Sequence, residues 1–181
     1  MTDPADVTAS RTSAVLDPSF VEGLGELSTE EVRHRRDQAL AEREFASYLR
    51  RLVQVRQDLL VSERKRRAAG HEQQPLVERL ASVLTEGPRA GPGRGEALRT
   101  VLSTRDVEEA ERRADAIFDE AGLSDPERLG DDQLERSLAV LREGERAVSA
   151  DRSAVIRVHD RLQEELKRRY REDPSQIPHE V

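Results

Sequence analysis

The chain has 181 residues, of which 37% are charged, 35% apolar and only 3% aromatic, with no Trp and no Cys. Such a composition cannot fill the thick core of a large α/β enzyme or a β-sandwich, but it suffices for helix seams, which need about two or three apolar residues per heptad. The lack of Cys excludes disulfide scaffolds, Cys-based zinc sites and thiol nucleophiles, and the net charge of −7 disfavours nucleic acid and suits a basic protein surface.

Residues 1–27 hold Pro4, Pro18, Gly23 and Gly25 without a helical period, and are read as a mobile N-terminal tail. The end of this tail, Phe20 to Leu24, offers a short apolar hook. The first residues have neither the basic start nor the apolar run of a signal peptide. No apolar run approaches the roughly 20 residues that span a bilayer. A cytoplasmic protein without a membrane segment is the expectation.

A helical domain is expected over 28–172. Ser28 and Glu31 form a capping box, with Ser28 placed to accept from the third helical amide. From Thr29 to about Ala69 there is no Gly or Pro, and Gly70 is a suitable stop. About forty residues in a helix make a rod of roughly 60 Å. Pro75 opens a short amphipathic segment to about Glu86, and the Gly- and Pro-rich stretch 87–95 reads as a flexible linker. A third helix is expected from Thr104 to Ala121. A second rod follows from about Asp132 to Tyr170, with Asp131 as its N-cap. Gly144 lies inside that rod at a cost of about 1 kcal/mol relative to Ala. Pro174 and Pro178 end it, leaving 173–181 as a C-terminal tail.

No stretch alternates as a strand does. The fold class is therefore all-α, an antiparallel coiled-coil hairpin of two long helices with shorter connecting helices. In the first rod Phe45, Leu49, Leu52, Val53, Leu59 and Leu60 form an apolar stripe, interrupted by Arg56. The Arg56 position suits a side chain snorkelling at the seam edge. In the second rod Leu141, Val148, Val155, Leu162 and Leu166 are separated by seven, seven, seven and four, which is coiled-coil spacing.

The two rods also share a polar pattern. Ser47, Arg50, Gln54 and Asp58 are spaced by three, four and four; Ser149, Arg152, Ile156 and Asp160 repeat that spacing 102 residues later. Glu145 precedes Ser149 by four, where the first rod has Arg43. Positions three and four apart share a helix face, so each set is a polar ribbon about 17 Å long. In the first rod the ribbon is expected to face outward, away from the apolar stripe; in the second it borders the stripe. Each ribbon offers a guanidinium fork, a carboxylate and a hydroxyl. The fork fits guanine O6 and N7, or a phosphate; a carboxylate accepts from the opposite guanine edge. A plainer reading competes with this one. Of 30 basic residues only Lys65 and Lys167 are Lys, leaving 28 Arg, so an Arg-bearing polar face with Arg50 paired locally is also what a solvated surface looks like. A genome-wide codon bias towards GC is the plainer account of the Arg excess.

At these residues the chain resembles the RsiG family of cyclic di-GMP-responsive anti-sigma factors, whose motif E-x3-S-x2-R-x3-Q-x3-D occurs on two helices of an antiparallel coiled coil. The first copy matches at Ser47, Arg50, Gln54 and Asp58 and departs at Arg43; the second matches at Glu145, Ser149, Arg152 and Asp160 and departs at Ile156. The resemblance implies that these eight matching residues bind cyclic di-GMP, as an intercalated dimer between the helices. It also implies that the loaded protein holds a sigma factor of the WhiG or flagellar type. An Arg at 43 suits a phosphate contact, and Ile156 packs without a hydrogen bond.

Other chemistry has little support. His34, His71, His159 and His179 show no metal-ligand spacing, the 91–95 glycines follow no strand and lack a P-loop lysine, and no nucleophile–base arrangement is present. Neither a metal site nor an enzyme is expected. The competing class is a structural or adaptor coiled coil without a ligand; a DNA-binding module is disfavoured by the charge.

Overall fold

The computed structural model describes residues 12–69, 102–120 and 129–177. The short segment expected at 75–86 and the linker at 87–95 lie outside them. Three helices dominate: α1 (Thr29–Ala68), α2 (Thr104–Glu120) and α3 (Asp131–Glu172). Among the described residues there is no strand. The protein is all-α, and its two long helices form an antiparallel hairpin.

Local signals account for the helix starts. The Glu31 amide donates to Ser28 Oγ at 3.1 Å, which caps α1 as the sequence predicts. The other half of the capping box is replaced, because the Glu31 carboxylate pairs with Arg35 at 2.9 Å. Ser103 caps α2 in the same way, accepting from the Asp106 amide at 3.1 Å and donating to its carboxylate at 2.7 Å. The start of α3 differs from the expectation. The Leu134 amide donates to the Gly130 carbonyl, so Gly130 is the N-cap and Asp131 is the first helical residue. The Asp131 carboxylate is used instead by Arg67, at 2.8 Å.

The chain divides into two compact units, and the division crosses both long helices. One unit takes the described residues up to Ser47 and from Ser149 onward; the other lies within Tyr48–Val148.

In the first unit the early part of α1 packs against the late part of α3. Thr29 meets Arg169 and Ser47 meets Arg152, so the partner number falls as the α1 number rises, which marks the pair as antiparallel. Val32, Ala39, Val155, Leu162 and Leu166 form its core together with Val15, Val21 and Leu24. Residues 12–27, read from sequence as a tail ending in an apolar hook, thus insert three side chains into that core. Residues 12–16 are helical, and two 3-10 turns follow at Pro18–Phe20 and Leu24–Glu26. Gly23 joins those turns at a φ of 60°, a left-handed conformation that costs glycine nothing. Polar clamps hold the segment: Arg35 donates to the Phe20 carbonyl at 2.9 Å and lies over the Phe20 ring. The buried Arg169 donates to the carbonyls of Leu24 and Leu27.

In the second unit the late part of α1, the early part of α3 and α2 pack together. Arg50 meets Glu145, Arg64 meets Glu135 and Arg67 meets Asp131, again antiparallel. The core is a cluster of Leu60, Leu129, Leu134, Leu138 and Leu141. Burying such side chains stabilises by roughly 1.5–3 kcal/mol each. Ala110 and Ala114 are the buried face of α2. Arg56, which breaks the α1 stripe, pairs with Asp115 of α2. It is therefore an interhelical anchor as well as an amphipathic side chain at the seam edge.

The heptad reading of α3 holds throughout: Leu141, Val148, Val155, Leu162 and Leu166 are all buried. In the α1 stripe Phe45, Leu49, Val53 and Leu60 are buried, while Leu52 and Leu59 are half-buried at its margin.

Candidate functional site

The motif residues form two polar clusters, one in each unit. In the first unit Arg152 donates through Nε to Ser47 Oγ at 3.0 Å. Ser47 in turn donates its own hydroxyl to the Arg43 carbonyl at 2.7 Å. This arrangement uses the hydroxyl fully: its proton satisfies the helix backbone and its lone pair faces the guanidinium. Arg43 directs its side chain to Glu44, at 2.9 Å. Ile156 is half-buried, as a packing residue would be.

In the second unit Arg50 donates through Nε to Glu145 Oε1 at 2.9 Å, and Gln54 Nε2 reaches the same oxygen at 3.2 Å. Glu145 is the more enclosed partner of the pair, with 20% of its side chain exposed against 37% for Arg50. Two residues of the first copy thus converge on one residue of the second.

These contacts correct the reading of the first ribbon as an outward face. Ser47, Arg50 and Gln54 are half-buried. Arg50 is paired across the helices, to Glu145. The reason lies in the wide arc that each helix presents to its partner: residues flanking the apolar stripe are drawn into the margin of the seam, where long side chains meet. The carboxylates of the two copies behave differently. Asp58 is exposed and makes no hydrogen bond or ion pair among the described residues. Asp160 is exposed and, among the described residues, meets only its neighbour His159, at 3.3 Å. Ser149 accepts at its carbonyl from the Ser153 hydroxyl, at 2.8 Å. The structure therefore brings together Ser47 with Arg152, and Arg50 and Gln54 with Glu145, and leaves Asp58 and Asp160 facing solvent.

One residue beside the second cluster has a role that an isolated helix does not reveal. Gly144 precedes Glu145, and a Cβ built there would lie 2.7 Å from Cγ2 of Ile117 on α2. That distance is far inside van der Waals contact. The glycine is what lets α2 pack this closely beside the motif, and its sequence signal was a lone Gly in an otherwise unbroken helix.

Among the described residues no group of His, Asp and Glu is placed to hold a metal, and no helix is long and apolar enough to cross a membrane. What the two clusters supply is guanidinium and amide donors beside one carboxylate acceptor, Glu145, a set suited to recognising a planar, anionic ligand.

No curated protein matches the chain. A protein-family model described as RsiG-like matches residues 18–84, which contain the first motif copy, α1 and the later part of the N-terminal segment. The second copy, on α3, lies outside the matched stretch. Over that stretch the chain is similar to the RsiG-like family, and motif residues of its two long helices meet in pairs.

Proposed function

We propose that this protein is a non-enzymatic cytoplasmic anti-sigma factor that binds cyclic di-GMP through the two motif copies and, when loaded, sequesters a sigma factor of the WhiG or flagellar type. The observation that carries this reading is the pairing of motif with motif. Residues 95 and 105 positions apart in the chain, Arg50 with Glu145 and Ser47 with Arg152, are those matching the family pattern, and they meet each other. Neither DNA nor a membrane is part of the reading.

In this function Arg50 and Arg152 donate to guanine edges or phosphates, Asp58 and Asp160 accept from guanine N1 and N2, and Ser47, Ser149, Gln54 and Glu145 complete the polar lining. The exposure of the two aspartates suits groups that wait for a ligand. The net charge of −7 opposes a dianionic ligand, so arginines and a basic partner surface must offset it. By linkage, a ligand that promotes sigma-factor binding must bind more tightly to the complex than to the free protein, by the same factor.

The test is a matched pair of titrations: cyclic di-GMP into the protein with and without sigma factor, and sigma factor into the protein with and without cyclic di-GMP. Equal coupling factors well above one are expected. Asp58→Ala and Arg152→Ala should each weaken the ligand by about 5–150-fold, which is about 1–3 kcal/mol. Coupling factors of one would remove the switch. Wild-type affinity in both variants would remove the site.

A second reading draws on the completeness of the interhelical bonds. Arg50, Gln54 and Glu145 already partner one another, as a ligand-independent adaptor coiled coil would have them. That reading predicts no change in melting temperature on adding cyclic di-GMP, with or without a sigma factor.

A further inference from the structure

The two motif arginines stand in different electrostatic situations. The Arg50 guanidinium faces a carboxylate, Glu145, that also collects the Gln54 amide. Arg152 has the matching place in the second copy, yet its one hydrogen bond among the described residues goes to the neutral hydroxyl of Ser47. No carboxylate among those residues pairs with it. The cause is in the sequence: the position that corresponds to Glu145 is Arg43, whose own guanidinium is occupied by Glu44. The Nη edge of Arg152 therefore makes no bond among the described residues. That edge is the planar fork that matches a phosphate.

We infer that the two copies are inequivalent anion subsites: the Ser47–Arg152 cluster takes a phosphate of cyclic di-GMP first, and the Arg50 cluster loads later because Glu145 already neutralises it. This inference rests on the cyclic di-GMP reading above and adds an order of loading to it. An anion approaching Arg50 must displace or share a carboxylate that also repels it; an anion approaching Arg152 displaces nothing charged. A partly exposed ion pair is worth at most about 1 kcal/mol, so the preference is about two- to fivefold in ligand concentration.

The experiment follows the Nε–Hε resonances of Arg50 and Arg152 by NMR in the full chain, assigned through Arg50→Lys and Arg152→Lys, while cyclic di-GMP is added. The Arg152 signal should reach half its shift at a concentration about two- to fivefold below that for Arg50. Glu145→Gln, which keeps an acceptor for Gln54 but removes the charge, should bring the Arg50 midpoint down to that of Arg152. Arg43→Glu should raise the Arg152 midpoint by a similar factor. If both signals titrate together in the wild type and in both variants, the ligand binds but the order of loading is overturned. If neither signal moves, with the sigma factor absent or present, the cyclic di-GMP reading falls and the loading order falls with it.

Discussion

Replacing Gly144 by Ala sets two effects of opposite sign against each other. In an isolated helix the change stabilises by about 1 kcal/mol, because alanine loses less backbone freedom on folding. Here the added methyl would sit 2.7 Å from Cγ2 of Ile117, with Cδ1 at 3.6 Å and Cγ1 at 3.7 Å. Cγ2 is a branch methyl fixed to Cβ, so it cannot swing away as the end of a long side chain would. Relief requires α2 to move or Ile117 to leave its rotamer, and overpacking of this kind costs about 1–3 kcal/mol. The net expectation for Gly144→Ala is a loss of about 0–2 kcal/mol, where helix propensity alone predicts a gain. In an Ile117→Ala background the three crowding atoms are gone, and Gly144→Ala should then stabilise by about 1 kcal/mol, or about 2–4 °C in melting temperature. The assay is chemical denaturation followed by far-UV circular dichroism on the four proteins of the cycle. A coupling of about 1–3 kcal/mol is expected between the two sites. If Gly144→Ala stabilises equally in both backgrounds, α2 does not press on α3 at this point and the explanation for the glycine is wrong.

Arg169→Ala should cost about 2–4 kcal/mol, because it strips donors from the Leu24 and Leu27 carbonyls and a partner from Glu165; hydrogen exchange should rise selectively across residues 18–27. Leu60→Ala, which empties a fully buried position among four other leucines, should cost about 2–5 kcal/mol in the same denaturation assay. Acid should destabilise the fold in a defined window. The Arg66 hydrogen bond, aided by Arg67, holds the Glu63 carboxyl at about 2, and Arg168 with Arg169 does the same for Glu165. A carboxylate whose folded pKa is depressed contributes stability above its usual value near 4.5 and loses it as pH falls towards 2. Melting temperature should therefore drop between about pH 4.5 and 2, and Glu63→Gln should make that drop shallower while lowering stability at neutral pH.

Much of this molecule is written in its local sequence. The Ser28 cap, the unbroken run to the end of α1 and the seven-residue spacing of Leu141, Val148, Val155 and Leu162 are consequences of helix geometry, and they appear where backbone chemistry and side-chain period put them. The motif itself was legible for the same reason, since spacing by three and four marks one helical face. What the sequence could not decide was which face each helix turns to its partner at the margins of the seam. A polar residue beside an apolar stripe is equally consistent with solvent or with a partner across the seam. Only the tertiary arrangement placed Arg50 on Glu145 and Ser47 on Arg152, and left Asp58 and Asp160 outside. Gly144 and Arg56 follow the same logic. Each looks like a defect in an isolated helix, and each is explained by a second helix, α2, whose Ile117 and Asp115 occupy the space and the charge left for them. Capping and periodicity act within a few residues along the chain, whereas close approach and interhelical pairing depend on groups that only folding brings within reach.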